Sequence, residues 1–320
     1  MPRTLPPYQA LPISDAAPPG SAWGVFGVDD QLGMVNLLTP ERVRRAVGLV
    51  RKGAVFPLNW DLEKPNPPLL GRRALRHTIS RFPDGTDDHY DSFYTQASSQ
   101  WDSLSHICHP TYGFYNGCQP DEITGMEGSR NGIDNVARHG IVGRFVLADI
   151  ERFRARHGGA IHFDQRDVVS VDEIEATLTE QRTALEEGDV LLLHFGWVAW
   201  YEGSSAAVRD ALSMTLPTMP AAPGLAMGER TAAWLWDHGV AVLAADVPTV
   251  EAMPFDITDP EGFLHYRLIS LLGMTLGELL VLEALADDCE EDGTYEGLFA
   301  AAPLNKVGGS GSPANALAIK

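Results

Sequence analysis

"VDEIEATLTEQRTALEEGDVLLLHFGW", Val171–Trp197, reads as a helix-forming segment that is closed by Gly188 and followed at once by an unbroken apolar run. Such a run suits a strand buried on both faces, which is how strands of a parallel sheet read when helices cover them. The pattern recurs in "GERTAAWLWDHGVAVLAADV", Gly228–Val247, with Gly239 at the join. Two helix-to-buried-strand units predict an α/β fold, a mixed sheet with flanking helices. Working outward, "TPERVRRAVGLVRKG" gives a helix with Thr39 as N-cap, Pro40 in the first position, Glu41 in the first turn and Gly53 as the stop. "AVFPLNWDLE", Ala54–Glu63, reads as a strand, and "DHYDSFYTQASSQWDSL", Asp88–Leu104, alternates as a strand does. "LHYRLISLLGMTLGELLVLEALADDC", Leu264–Cys289, reads as the final helix, ahead of a last strand region in Tyr295–Asn305.

The chain of 320 residues is 44% hydrophobic and 21% charged, the balance of an ordinary globular protein. A Pro-rich arm, residues 1–22, precedes a single domain expected to span 23–320, since no Gly/Ser linker or repeat divides the remainder. A formal net charge of −19 without a basic run excludes a nucleic-acid surface and disfavours anionic membranes. The N-terminus lacks the apolar core of a signal peptide, and no window approaches the roughly 18 apolar residues of a spanning helix. A cytoplasmic location is therefore expected. Cys108, Cys118 and Cys289 are an odd set with no CxxC, so reduced thiols are expected rather than disulfides or a thiolate zinc site.

The chemistry concentrates in "FYTQASSQWDSLSHICHPTYGFYNG", Phe93–Gly117. On a strand, Gln96, Ser98, Gln100 and Asp102 would share one face and Ala97, Ser99 and Trp101 the other. Oxygen donors ending in a carboxylate, followed by the imidazoles of His106 and His109, suit a hard or borderline divalent ion such as Mn²⁺ or Zn²⁺. The plainer alternative is a solvated strand face with Asp102 capping the next turn. His109 shares a cleft with His106 if one helical turn follows the strand. His194, inside "VLLLHFGW", reads as a core histidine satisfied by backbone. His77, His89, His139, His157, His162 and His238 read mostly as loop or surface residues. There is no G-x-S-x-G elbow, no HExxH, and no G-x-G-x-x-G after a strand.

Aligned on Asp102 and His106, "QASSQWDSLSH" resembles the signature His-x-Gly-Thr-His-x-Asp-x-x-x-His of the cyclase family, which includes bacterial kynurenine formamidase and isatin hydrolase. "DDQLGMVNLLTPERV", "HGIVGRFVLAD", "EEGDVLLLHFGW", "PGLAMGERTAAWLWDHGVAVLAADV" and "APLNKVGGSGSPANALAIK" look like further family blocks in the family's order, from Trp23 to Lys320. Two signature histidines are replaced, by Gln96 and Gln100. The amide oxygen is a weaker donor than imidazole, which shifts preference from Zn²⁺ toward Mn²⁺ or Mg²⁺.

The resemblance implies a swivelling β/β/α fold and a divalent ion, Mn²⁺ ahead of Zn²⁺, held by Gln100, Asp102, His265 and Glu278. His265 and Glu278 are 13 positions apart; on one helix they would stand roughly 20 Å from each other along the axis. A break near Gly273, with Glu278 on a following strand, is therefore required. The implied reaction is hydrolysis of a small cyclic amide, imide or lactone, or of an aryl formamide. Metal-activated water would attack, His106 or His109 would move the proton, and Gln96, Trp23, Trp60, Trp101, Phe114 and Tyr115 would line the substrate pocket. The alternatives are a ring-forming cyclase or dehydratase on the same fold and a binding protein that has lost the metal. A homodimer or homotetramer is implied as well, with the N-terminal arm crossing to a neighbour.

Overall fold

The computed structural model describes residues 5–213 and 219–320; residues 1–4 of the expected arm lie outside them. Thirteen strands occur among the described residues: β1 (Val55–Pro57), β2 (Arg76–Phe82), β3 (Gly85–Asp91), β4 (Gln100–Asp102), β5 (Ile141–Asp149), β6 (Val168–Val169), β7 (Val190–His194), β8 (Gly224–Leu225), β9 (Val242–Ala245), β10 (Thr275–Glu278), β11 (Glu296–Ala301), β12 (Gly311–Pro313) and β13 (Ala316–Ile319). Nine form one mixed sheet in the order β1-β13-β11-β5-β7-β9-β10-β4-β12. Its centre, β5, β7, β9 and β10, is parallel. Antiparallel β4 and β12 extend one side, and β11, β13 and β1 the other. The α/β fold expected from the two helix-to-strand units is the fold observed.

Local chemistry explains the elements. Helix Val171–Glu180 starts at Ser170, whose hydroxyl accepts from the Glu173 amide, and buries Val171, Ile174 and Leu178. After it, β7 is buried at all five positions, as a central parallel strand should be. Helix Glu229–Asp237 leads in the same way into fully buried β9. Helix Pro40–Val47 begins as expected, with Thr39 Oγ1 accepting from the Arg42 amide, but ends at Gly48 rather than Gly53. Beyond Gly48 the backbone is drawn to the last residue: the Lys52 and Ala54 amides both donate to the Lys320 carbonyl.

One expectation is corrected, and part of the arm is located. The Asp88–Leu104 stretch is not one strand: left-handed backbone at Ser92 (φ 54°) ends β3, turns occupy residues 92–99, and pairing resumes only at Gln100. The arm is anchored on its own chain: the Tyr8 amide donates to Asp237, Trp236 Nε1 donates to the Pro6 carbonyl, and Tyr8 is buried. No helix among the described residues is long and apolar enough to cross a membrane.

The segment that had to break does so. After His265 a short π-helical stretch, Tyr266–Leu271, gives way at Gly273 to β10. Gly273 (φ 69°) lies against the Tyr115 ring, and its carbonyl accepts from the Met34 amide at 2.8 Å. A Cβ on Gly33 (φ 57°) would stand 1.9 Å from that carbonyl oxygen, so the break is clamped backbone against backbone. Gly53 has similar φ (69°) but open space. Gly53→Ala should therefore cost only the left-handed term, about 1–2 kcal/mol, whereas Gly33→Ala must also displace backbone and should cost clearly more. Urea unfolding midpoints check this; equal losses for the two variants would remove the clamp.

Candidate functional site

The register of two strands builds the site. Antiparallel β4 and β10 place Gln100 opposite Glu278 and Asp102 opposite Leu276, so Gln100, Asp102 and Glu278 share one face. Gln100 Nε2 donates to Glu278 Oε2 at 2.5 Å. His265 returns from its helical turn to the same face. Its Nε2 lies 3.2 Å from Glu278 Oε1 and 3.6 Å from Asp102 Oδ2. Its Nδ1 sits 2.7 Å from Glu251 Oε2, and the Phe263 ring stacks on the imidazole with centroids 4.8 Å apart. Asp102, His265 and Glu278 each offer an atom within 4.8 Å of the others, and all three are buried.

The electrostatics are those of a site short of positive charge. Burial and Asp102 push Glu278 up to about 7, against the pull of His265. Burial opposes the charged form of His265, yet Glu251, Asp102 and Glu278 together raise it well above its ordinary 6.5. Burial likewise works against ionised Asp102, but His106, His265 and Gln96 outweigh it and lower its pKa. Three buried carboxylates around one imidazole remain net negative even with the imidazole protonated.

A divalent ion fits this donor set on a specific observation. Asp102 Oδ2 and Gln100 Oε1 are buried and have no hydrogen-bond partner. Buried oxygens left open, on the face that carries His265 and Glu278, are what a cation would complete. With Nδ1–H given to Glu251, a neutral His265 ring would turn its Nε2 lone pair toward Asp102 and Glu278, as metal-ligating histidines backed by carboxylates do. A second cluster of His194, Asp149, Asp246, Glu151 and Glu283 looks similar by composition. Its buried atoms are occupied, however: His194 binds Asp149 at 2.9 Å and Glu283 at 3.1 Å, Arg152 holds Asp149, and the Phe195 and Gly196 amides hold Asp246. His194 is thus a core histidine satisfied by carboxylates, not by backbone.

The remaining sequence-derived residues divide. Gln96 does not lie on a strand with Asp102. It arrives through a turn, and its Nε2 donates both to Asp102 Oδ1 and, at 2.9 Å, to His106 Nδ1. His106 is half-buried beside the cluster, its Nε2 3.7 Å from Asp102 Oδ1, and burial lowers its pKa, helped by His265 and Arg72 against Asp102. Ser98 leaves the expected face and donates to the Asp61 carbonyl. His109 does not join His106, because no helical turn follows the strand. It forms a bridge with Gly113, its Nδ1 accepts from the Thr111 amide, and its ring lies against Tyr112 and Tyr266.

Trp101 points away from Asp102 into the core, bonded to the Ala314 carbonyl and packed on Phe299. Tyr115 is buried with its hydroxyl on Asp30, and Trp60 donates to Glu202 beside Tyr201. Trp23 donates to the Ser270 carbonyl, next to the π-helical stretch, and Phe114 is buried in the turn closed by its amide on the Cys118 carbonyl. Trp101, Tyr115 and Trp60 are held as structural residues. Sequence reasoning missed Glu251, which orients His265, and Arg72, whose guanidinium field reaches Asp102, Glu278 and His106. Neither carries a spacing signal, since one lies in the "PTVEAMP" turn and the other in a Pro/Gly-rich loop.

The Cyclase family model, described as "Putative cyclase", matches residues 50–252. The crystal structure of a novel cyclase superposes with a TM-score of 0.82 at 31% identity, covering 94% of this chain and 99% of its own. Isatin hydrolase A from Labrenzia aggregata bound to benzyl benzoate shares the fold at 19% identity, with a TM-score of 0.60 over 85% of this chain and 94% of its own. Isatin hydrolase A from Ralstonia solanacearum does so at 17% identity and a TM-score of 0.58, over 83% and 91%. No curated protein sequence matches the chain. With a family model spanning most of its length and a 31%-identical relative aligned almost end to end, the chain belongs to the cyclase family.

Proposed function

We propose that the protein is a metal-dependent hydrolase that opens a small cyclic amide, imide or lactone. The observation that carries the reading is the pair of open buried oxygens, Asp102 Oδ2 and Gln100 Oε1, on the face shared with His265 and Glu278. Asp102, His265 and Glu278 would hold a divalent ion with Gln100 as a neutral oxygen donor; Mn²⁺ suits that oxygen-rich set better than Zn²⁺. When bound, such an ion supplies Lewis acidity that polarises a carbonyl and lowers the pKa of water. Isatin hydrolases, which share the fold, are named for hydrolysis of a cyclic amide, and this agrees with the substrate class proposed. The open oxygens count against a binding protein without metal.

The chain's own residues do the rest. Gln96 spends both amide hydrogens, one on Asp102 Oδ1 and one on His106 Nδ1, which orients the carboxylate and leaves its Oδ2 free. Because Nδ1 accepts, the neutral His106 ring carries its proton on Nε2. Burial lowers the His106 pKa, so the neutral form prevails at pH 7. The neutral ring takes a proton from the attacking water and, as imidazolium, gives its Nε2–H to the leaving nitrogen or oxygen. Atoms balance: water adds to the carbonyl carbon, the C–N or C–O bond breaks, and a water proton ends on the leaving atom by way of His106. His109 is bypassed. Glu251 acts on His265 by holding Nδ1.

Two outcomes are expected. His106→Ala should keep its fold and metal content but lose about 10²- to 10⁴-fold in turnover of a lactone or cyclic-amide panel, with His109→Ala much less affected. Normal hydrolysis by His106→Ala would refute this proton path. Glu251→Gln should weaken Mn²⁺ binding by roughly 10- to 100-fold in calorimetric titration while the melting temperature of the metal-free protein changes little. Unchanged affinity would mean that Glu251 does not position His265.

A further inference from the structure

We propose that Arg72 reads the substrate at the mouth of the site, and that the substrate is an anion: a small cyclic amide, imide or lactone that bears a carboxylate. The inference rests on the hydrolase reading for the reaction, though not for the binding of the anion. Residues 61–75, "DLEKPNPPLLGRRAL", cross from β1 to β2 without helix or strand. The crossing is laced to the chain that enters β4: the Trp60 amide donates to Ser99 Oγ at 2.7 Å, and Ser98 Oγ donates to the Asp61 carbonyl at 2.8 Å. Leu69 is buried in the core. Left-handed backbone at Leu70 (φ 55°) and Gly71 (φ 76°) then turns the chain, closed by the Arg72 amide on the Leu69 carbonyl at 3.1 Å. Arg73, Ala74 and Leu75 line one cleft with Phe93, Tyr94 and Ala97, which flank Gln96. Arg72 thus stands between two segments fastened to the site.

Its guanidinium is the exception among the half-buried arginines. Arg42, Arg130, Arg144, Arg152, Arg154 and Arg267 each pair with a carboxylate, and Arg209 donates to the Tyr201 and Glu202 carbonyls. Arg72 is half-buried too, yet its side chain forms no ion pair or hydrogen bond among the described residues. Burial lowers its pKa while Glu278 and Asp102 pull the other way, and its field reaches His106, so it lies near all three without touching them. An arginine stays charged there, and a charge drawn from water without a partner is costly unless a ligand completes it. Depth orders the groups: Asp102 and Glu278 are buried, the His106 side chain is 24% exposed, and Arg72 sits between exposed Gly71 and Arg73. A ring held with its carbonyl at the carboxylate face and its leaving atom at His106 turns the substituent beyond that atom to Arg72. The planar fork of a guanidinium binds a carboxylate through two hydrogen bonds, which suits that substituent. In a chain of net charge −19, an anionic substrate also needs such a local cation.

Matched pairs test the proposal: γ-butyrolactone and 2-pyrrolidinone, each beside the derivative with a carboxylate on the carbon next to the ring oxygen or nitrogen. The wild type supplied with Mn²⁺ should favour the carboxylated member by about 10-fold or more in kcat/KM. Arg72→Gln should lose about 10- to 100-fold on that member, chiefly in KM, the scale of a hydrogen bond to a charged group, with the neutral member nearly unchanged. Arg72→Lys should keep part of the preference, and unchanged melting temperatures would show that both variants fold. Tetrahydrofuran-2-carboxylate, which has no ring carbonyl to attack, gives a readout without turnover: Arg72→Gln should weaken its binding in calorimetric titration by about 10-fold or more. Equal losses on both members of a pair, or unchanged binding of this ring carboxylate by Arg72→Gln, would overturn the assignment. Turnover of neither pair by the wild type, with the binding difference intact, would leave the anion site standing and overturn the hydrolase reading instead.

Discussion

Everything at the candidate site depends on the register of two short antiparallel strands. Because β4 meets β10 with Gln100 opposite Glu278, three side chains from residues 100, 102 and 278 are forced onto one buried face. A shift of one residue would send Asp102 into the core and bring Trp101 to the site. The tryptophan guards against that slip: it fills the opposite face, packed on Phe299 and against Gly277, where a side chain would collide with its ring. The register is therefore pinned by the core on one side and by carboxylate chemistry on the other.

The carboxylates are tolerable only with compensation. Burying Asp102, Glu278 and Glu251 around His265 costs more solvation than a single imidazole restores, and two buried oxygens remain without partners. A stable fold keeps such a cluster where something else completes it. The contrast with His194 is instructive: at an equally buried histidine among carboxylates, Asp149 and Asp246 are held by Arg152, backbone amides and the ring itself, and none of their buried oxygens is left open. Composition is alike in the two clusters; satisfaction separates them.

Much of the fold was legible because local signals agreed. Thr39 caps a helix where its hydroxyl predicts, and the apolar runs 190–194 and 242–245 are buried parallel strands. The need for a break between His265 and Glu278 followed from helix geometry alone, and Gly273 supplies it. What failed was long-range or turn-dependent. Alternation put Gln96 on a strand with Asp102, whereas left-handed Ser92 and the turns after it bring Gln96 back from the side. Adjacency in sequence suggested a role for His109, but its bridge to Gly113 takes it elsewhere. Glu251 and Arg72 could not be found by spacing, since each reaches the site from a loop whose path is set by tertiary packing.

The central claim is that the face built by β4 and β10 completes itself with one divalent ion. Elemental analysis of the purified wild-type chain beside Asp102→Ala measures this directly. One equivalent of a divalent metal per wild-type chain, Mn²⁺ foremost, and loss of that metal in Asp102→Ala, is the predicted result. A wild-type protein that holds no metal after growth and dialysis in Mn²⁺, or an Asp102→Ala variant that keeps its full equivalent, would contradict the account.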